Sequence, residues 1–231
     1  MDKHPVLYSY RRCPYAMRAR MAIYLAGLQV EQREIVFWDK PEPMLQASPK
    51  ATVPVLVLED GCVIEESREI MEWAFDKVDV PWVSQQTETL ERINAWIDEN
   101  DGDFKHWLDR YKYADRFPEQ SKVYYRQRGE RFLAKLDEAL QVQSYLIGEQ
   151  MSMADLAVFP FIRQFANVDK VWFAESCYEA VRAWLHKLLG EDFFAAVMKN
   201  RPVWQPNHVA LWVNEPDLQT RDQFLEKAES R

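Results

Sequence analysis

Cys13-Pro14-Tyr15-Ala16 is the segment of this chain best suited to chemistry. It follows a short β-prone run at residues 6–10 and opens a stretch with helical spacing. A sulfur at a helix N-terminus faces unpaired amide groups and the positive end of the helix dipole, and both favour thiolate over thiol. Pro14 suits the first turn because its missing N–H costs no helix bond there. Arg11, Arg12 and Arg18 add positive charge nearby. A buried structural cysteine is the alternative, but the strand–Cys–Pro–helix context favours a reactive thiol.

Magnitudes say what a lowered pKa does here. A thiol of pKa ~8.5 is only about 3% thiolate at pH 7. Dropping the pKa to ~5 raises that fraction roughly thirty-fold, while intrinsic nucleophilicity falls by a similar factor. Attack gains little; departure gains, because a low-pKa sulfur leaves a mixed disulfide readily. The site is suited to being linked to a small thiol and released again. Ala16 stands where a dithiol oxidoreductase places its second cysteine, so no internal Cys-x-x-Cys disulfide forms. Resolution falls to an external thiol or a distant cysteine. Cys62, in an expected strand, and Cys177, near a helix start, read as packing residues.

Two further segments point to a ligand. Thr52-Val53-Pro54-Val55 precedes a strand, where a proline can hold a cis peptide bond and expose the backbone of Val53 to an extended peptide. Glu66-Ser67 stands at the next helix start. Ser67 either caps that helix or, with the helix amides, binds a carboxylate while Glu66 binds an ammonium. A γ-glutamyl group carries both charges.

Residues 15–28 carry Met17, Met21, Tyr24, Leu25 and Leu28 at helical spacing, with Arg18 and Arg20 off the apolar stripe and Gly27 as a break. A second strand is expected at 30–37, a short helical segment around Met44, and strands at 55–58 and 62–64 joined by Asp60-Gly61. Ser67 then opens a helix carrying Ile70, Met71, Ala74 and Phe75. The order is βαβ, a connector, then ββα. A linker at 81–86 leads to an all-α region over 87–231, whose first stripe breaks near Gly102. Ser152 and Asp155 form a capping-box pattern read as helix initiation, Pro160 is expected to kink that helix, and residues 201–231 form a tail with a short terminal helix.

Composition narrows the classes. The chain has 231 residues, 48% of them apolar, enough for a sizeable core. A net charge of −8 argues against broad binding to nucleic acid or anionic lipid. Three cysteines are no disulfide scaffold and fit a reducing compartment. With no signal peptide and no apolar run near twenty residues, a cytoplasmic protein without membrane association is expected. His4, His106, His186 and His208 lack metal-ligand spacing, so no metal is expected. Trp96, Trp107 and Tyr111 either pack in a core or line an apolar co-substrate pocket, and Lys122, Arg126, Arg128 and Arg131 read as a solvated basic face.

Cys13-Pro14-Tyr15, Val53-Pro54 and Glu66-Ser67 at this spacing resemble the thioredoxin-like, glutathione-binding half of the soluble glutathione transferases. Residues 87–200, with Ala-Asp-Leu-Ala-Val-Phe-Pro-Phe at 154–161, are similar to their helical second domain. The resemblance is to the cysteine-type members, the omega class and the two-domain glutaredoxin-2-like proteins. It implies a domain at 1–80 and an all-α bundle at 87–231. It implies glutathione as co-substrate, linked to Cys13 as a mixed disulfide. Val53 before cis-Pro54 would pair with the cysteinyl part, Glu66 and Ser67 would hold the γ-glutamyl end, Lys40 would sit near the glycyl carboxylate, and Tyr15 would lie beside the sulfur. It also suggests a homodimer. Tyr8, Ser9 and Tyr10 leave a hydroxyl-assisted reaction open. The functions in play are a thiol transferase or dehydroascorbate reductase, a conjugating transferase acting on apolar electrophiles, and a non-catalytic regulatory protein on the same fold.

Overall fold

The computed structural model describes residues 4–78 and 87–215. The chain divides into two units, Met1–Val80 with Glu191–Arg231, and Pro81–Gly190.

The first unit is built on β1 (Val6–Ser9), α1 (Pro14–Leu25), β2 (Glu31–Glu34), α2 (Glu42–Ala47), β3 (Val55–Val57), β4 (Val63–Ile64) and α3 (Ser67–Phe75). The sheet order is β2-β1-β3-β4, with β1 parallel to β2 and the other pairs antiparallel. This is the thioredoxin-like βαβ–ββα arrangement expected from the chain. Register sets Val6 opposite both Glu31 and Val57, and Tyr8 opposite both Arg33 and Val55. Leu7, Leu56, Met17, Met21, Ile23, Ile70 and Met71 are all fully buried in the first unit. Gly27 ends α1 in a left-handed conformation, with the Leu28 amide donating to the Ile23 carbonyl and the Gly27 amide to the Tyr24 carbonyl. That Schellman geometry needs a residue tolerant of positive φ.

One expectation fails in α1, and the same physical reason governs β2. Arg18 and Arg20, expected on a polar face, are both fully buried. β2 reads Glu-Gln-Arg-Glu, yet all four residues are buried. Each finds polar partners inside, as buried charge must. Arg33 donates to Glu31 (2.8 Å) and to the Tyr8 hydroxyl (3.0 Å), and lies over the Trp204 ring. Trp204 comes from the tail, which runs along the outer edge of β2: the Trp204 amide donates to the Glu34 carbonyl, Gln32 to Leu211, and Val213 to Val30. Residues 191–215 thus group with the first unit. The expected linker at 81–86 and terminal helix lie outside the described residues.

The second unit is all helical: α4 (Thr87–Glu99), α5 (Lys105–Lys112), α6 (Lys122–Val142), α7 (Met153–Ala166), α8 (Lys170–Glu175) and α9 (Glu179–Leu189). The break near Gly102 is a π-helical turn at Asn100–Phe104. Phe104 packs on Phe132 and Phe165, and Tyr111 on Phe165, so Tyr111 is core. The basic residues of α6 are not simply solvated: Arg126 pairs with Glu130 and covers Trp172, and Arg128 donates to Tyr124. Helix α7 continues through Pro160. Its capping box forms, and Asp155 accepts from the amides of Ser152 and Leu146, the Ser152 hydroxyl and the Trp184 indole. Asp155 thus ties three segments together, beyond starting a helix. A final helix, α10 (Asp192–Val197), returns to the first unit.

Candidate active site around Cys13

Cys13 occupies the N-cap of α1, in extended conformation, with Pro14 following as the first helical residue. The turn that carries it is closed by the Cys13 amide donating to the Tyr10 carbonyl at 3.0 Å. The Cys13 carbonyl accepts from Met17 at 2.9 Å, so the helix begins at the sulfur-bearing residue. The side chain is partly exposed and in no disulfide.

Its sulfur lies 3.7 Å from the Val53 carbonyl oxygen, to which the thiol donates. Val53-Pro54 is a cis peptide bond, as expected from the motif. Among the described residues the Val53 amide donates to no backbone acceptor. The backbone of Val53, its amide unused by other backbone groups among the described residues, therefore stands beside the sulfur, where a peptide backbone could pair with it.

Glu66 is the N-cap of α3 and Ser67 its first helical residue, so the cap falls one position before the Ser67 N-cap expected from the sequence. Ser67 is buried, and Arg18 of α1 reaches its hydroxyl at 3.5 Å, joining the starts of the two helices. Glu66 is exposed and ion-paired to Lys50, a partner that sequence reasoning missed. Tyr15 is half-buried in the first turn of α1, with the Arg18 guanidinium over its ring at 5.4 Å. Lys40 is half-buried in the loop after β2. The structure thus joins Cys13 with Val53-Pro54, and α1 with Ser67.

The alternative hydroxyls face inward. Tyr8 is buried and accepts from Arg33; Ser9 is fully buried and accepts from Arg20 at 2.6 Å. Tyr10 remains partly exposed, its hydroxyl accepting from Arg12 and its ring against Phe37. Cys62, expected to pack in a strand, is exposed just before β4, and Cys177 is exposed as well. The Asp60 carboxylate beside Cys62 raises that thiol's pKa, which suppresses its thiolate. Among the described residues no group of His, Cys, Asp and Glu could hold a metal, and no helix is long and apolar enough to cross a membrane.

A thioredoxin-like unit with a cysteine at its first helix start, followed by a helical unit, defines an architecture shared with glutathione transferases. The family models agree. The glutathione S-transferase N-terminal domain matches residues 7–82 and the C-terminal domain residues 102–200, and the chain belongs to this family. It is 26% identical over 211 residues to glutathione S-transferase 2 of Saccharomyces cerevisiae, covering 81% of this chain and 87% of that one. It is 22% identical over 191 residues to a stringent starvation protein A homolog of Haemophilus influenzae, with the same coverage. A solved glutathione transferase family member from Pseudomonas fluorescens, with two glutathione bound, superposes with a TM-score of 0.72 at 20% identity, covering 84% of this chain and 91% of that one.

Proposed function

We propose that this chain is a glutathione-dependent thiol transferase that works through Cys13. The observation that carries the reading is the Cys13 sulfur at the N-cap of α1, 3.7 Å from the Val53 carbonyl. The Cys13 thiolate attacks the glutathione-side sulfur of a mixed disulfide; the Cys13–glutathione disulfide forms and the substrate leaves as its thiolate. A second glutathione thiolate then attacks the glutathione sulfur held on Cys13, releasing glutathione disulfide and the Cys13 thiolate. The electron pair for substrate reduction comes from the two glutathiones, so no second protein cysteine is needed. Reduction of a small oxidant such as dehydroascorbate draws on the same pair.

Each further residue has a defined role in this reading. Val53 pairs by its backbone with the cysteinyl part of glutathione, beside cis-Pro54. Ser67 and the first amides of α3 hold the γ-glutamyl carboxylate, and Glu66 holds its ammonium. Lys40 meets the glycyl carboxylate, and Tyr15 contacts the ligand next to the sulfur. The inward-facing hydroxyls of Tyr8 and Ser9 support a cysteine over a hydroxyl-activated mechanism. A reducing, cytoplasmic setting and a homodimer go with this reading.

A second reading has support from one observation: similarity to a stringent starvation protein A homolog, a relative whose name is not a transferase's. In it the fold serves partner contacts without turnover. An assay panel with hydroxyethyl disulfide, dehydroascorbate and a chloro-nitrobenzene separates the possibilities. Turnover of the first two, lost in Cys13→Ala and kept in Cys62→Ala, is expected. Turnover of the chloro-nitrobenzene alone points to conjugation, and turnover of none to a non-catalytic role.

A further inference from the structure

Beneath the turn that carries Cys13 lies a fully buried arginine. The Arg20 guanidinium donates to the Ser9 hydroxyl at 2.6 Å, the Arg11 carbonyl at 2.7 Å and the Tyr10 carbonyl at 3.3 Å. Its Nε donates to the Val197 carbonyl at 3.1 Å, the last residue of α10, and Nη2 meets the Met198 sulfur at 3.8 Å. One planar fork thus joins three consecutive residues before the cysteine loop to a helix 177 positions away.

We propose that Arg20 is a positioning residue for Cys13: it fixes the β1–α1 turn from below, anchors it to the end of α10, and supplies a buried positive charge that favours the Cys13 thiolate. The inference rests on the reading that Cys13 is the working thiol.

The surrounding charges support it. Glu34 of β2 faces Arg20 and accepts from the Arg11 amide at 2.5 Å and from Gln32. Arg201 of the tail faces the same carboxylate, and its buried Nε and Nη1 have no hydrogen-bond partner among the described residues. Arg11 adds charge from the turn, while the Val197 carbonyl at the end of α10 and the Met198 sulfur just after it carry no formal charge. Two buried guanidiniums therefore share one carboxylate, and an anion on Cys13 relieves the imbalance. Burial pulls the Arg20 pKa down to about 10, against the opposing pull of Glu34 and Cys13. That value leaves Arg20 charged at neutral pH. Lysine would keep the charge but not the fork, because a single ammonium is a point charge without planar, divergent donors.

The test uses the full chain with Cys62 and Cys177 changed to Ser, leaving Cys13 as the only thiol. Iodoacetamide alkylation is followed against pH without glutathione. The parent midpoint is expected well below the ~8.5 of an unperturbed thiol. Arg20→Met should raise it by about one pH unit or more, and Arg20→Lys should recover most of that shift. Glu34→Gln, which removes the shared counter-charge, should move it the other way. That sign keeps the test alive if Arg20→Met fails to fold. A folded Arg20→Met with the parent's midpoint, or a Glu34→Gln midpoint that stays or rises, overturns the role of Arg20. A parent midpoint near ~8.5 overturns the Cys13 reading itself, which separates the two failures.

Discussion

The Cys13 sulfur donates to the Val53 carbonyl across 40 residues of sequence, at 3.7 Å. This contact holds only while the sulfur carries its proton, so the carbonyl stabilises the thiol. The N-terminus of α1 acts in the opposite direction, because its unpaired amides and dipole stabilise the anion. In the proposed mixed disulfide there would be no S–H to donate, which would leave Val53 to the ligand's backbone.

Glu66 is held by Lys50 in the structure, and both groups are exposed. Exposed ion pairs are weak and yield to competing charge. In its proposed role, Glu66→Gln should raise KM for glutathione by about tenfold while kcat changes little, since it would remove a charge-assisted bond to the ligand. Lys50→Met should change KM by less than about threefold. Steady-state kinetics with varied glutathione at saturating disulfide checks both.

Asp155 is fully buried and accepts four hydrogen bonds, two of them from backbone amides. Asp155→Ala orphans donors from Leu146, Ser152 and Trp184 at once. A loss of about 3 kcal/mol or more in urea unfolding is expected. Activity per folded molecule should persist, because the hydrogen bonds Asp155 accepts all come from within the helical unit.

Gly129 of α6 faces Phe165 of α7: a Cβ added there would stand 2.6 Å from a ring carbon. Phe165 is itself wedged among Phe104, Tyr111 and Trp172. Gly129→Ala should therefore destabilise by about 1–3 kcal/mol despite alanine's better helix propensity. A lowered thermal midpoint checks this, and an unchanged one would mean the ring gives way.

Acid stability turns on Glu31. Burial alone raises its pKa, but hydrogen bonds from Arg33 and His4 outweigh that and hold the carboxyl below its ordinary 4.5. A depressed folded pKa contributes stability that is full above the unfolded value and lost as pH falls through the folded one. Urea midpoints of the parent should therefore drop below pH 4.5, and Glu31→Gln should flatten that part of the profile.

The sheet, the α1 start and the cis proline were legible because each rests on local chemistry: alternation, a proline in the first turn, a turn-forming Asp-Gly. Even the break in the first helical stripe showed, at Gly102, as loss of period. Arg20 was not legible. A helical wheel puts it on a polar face, and only the returning α10 and tail turn that face into interior. The same long-range packing hid the burial of Glu31 to Glu34, whose sequence alone reads as solvated. Lys50 escaped because an exposed side chain's partner depends on where two loops meet. Cys62 went the other way: it lies one residue before β4, an edge strand whose own Val63 is exposed, so strand patterning there did not imply burial.

Intact-mass analysis of the Cys62→Ser, Cys177→Ser chain after incubation with glutathione disulfide tests the central claim most directly. One glutathionyl group on Cys13, removed by added glutathione, is the predicted result. A chain that stays unmodified while folded, or that keeps reducing disulfides after Cys13→Ala, would contradict it.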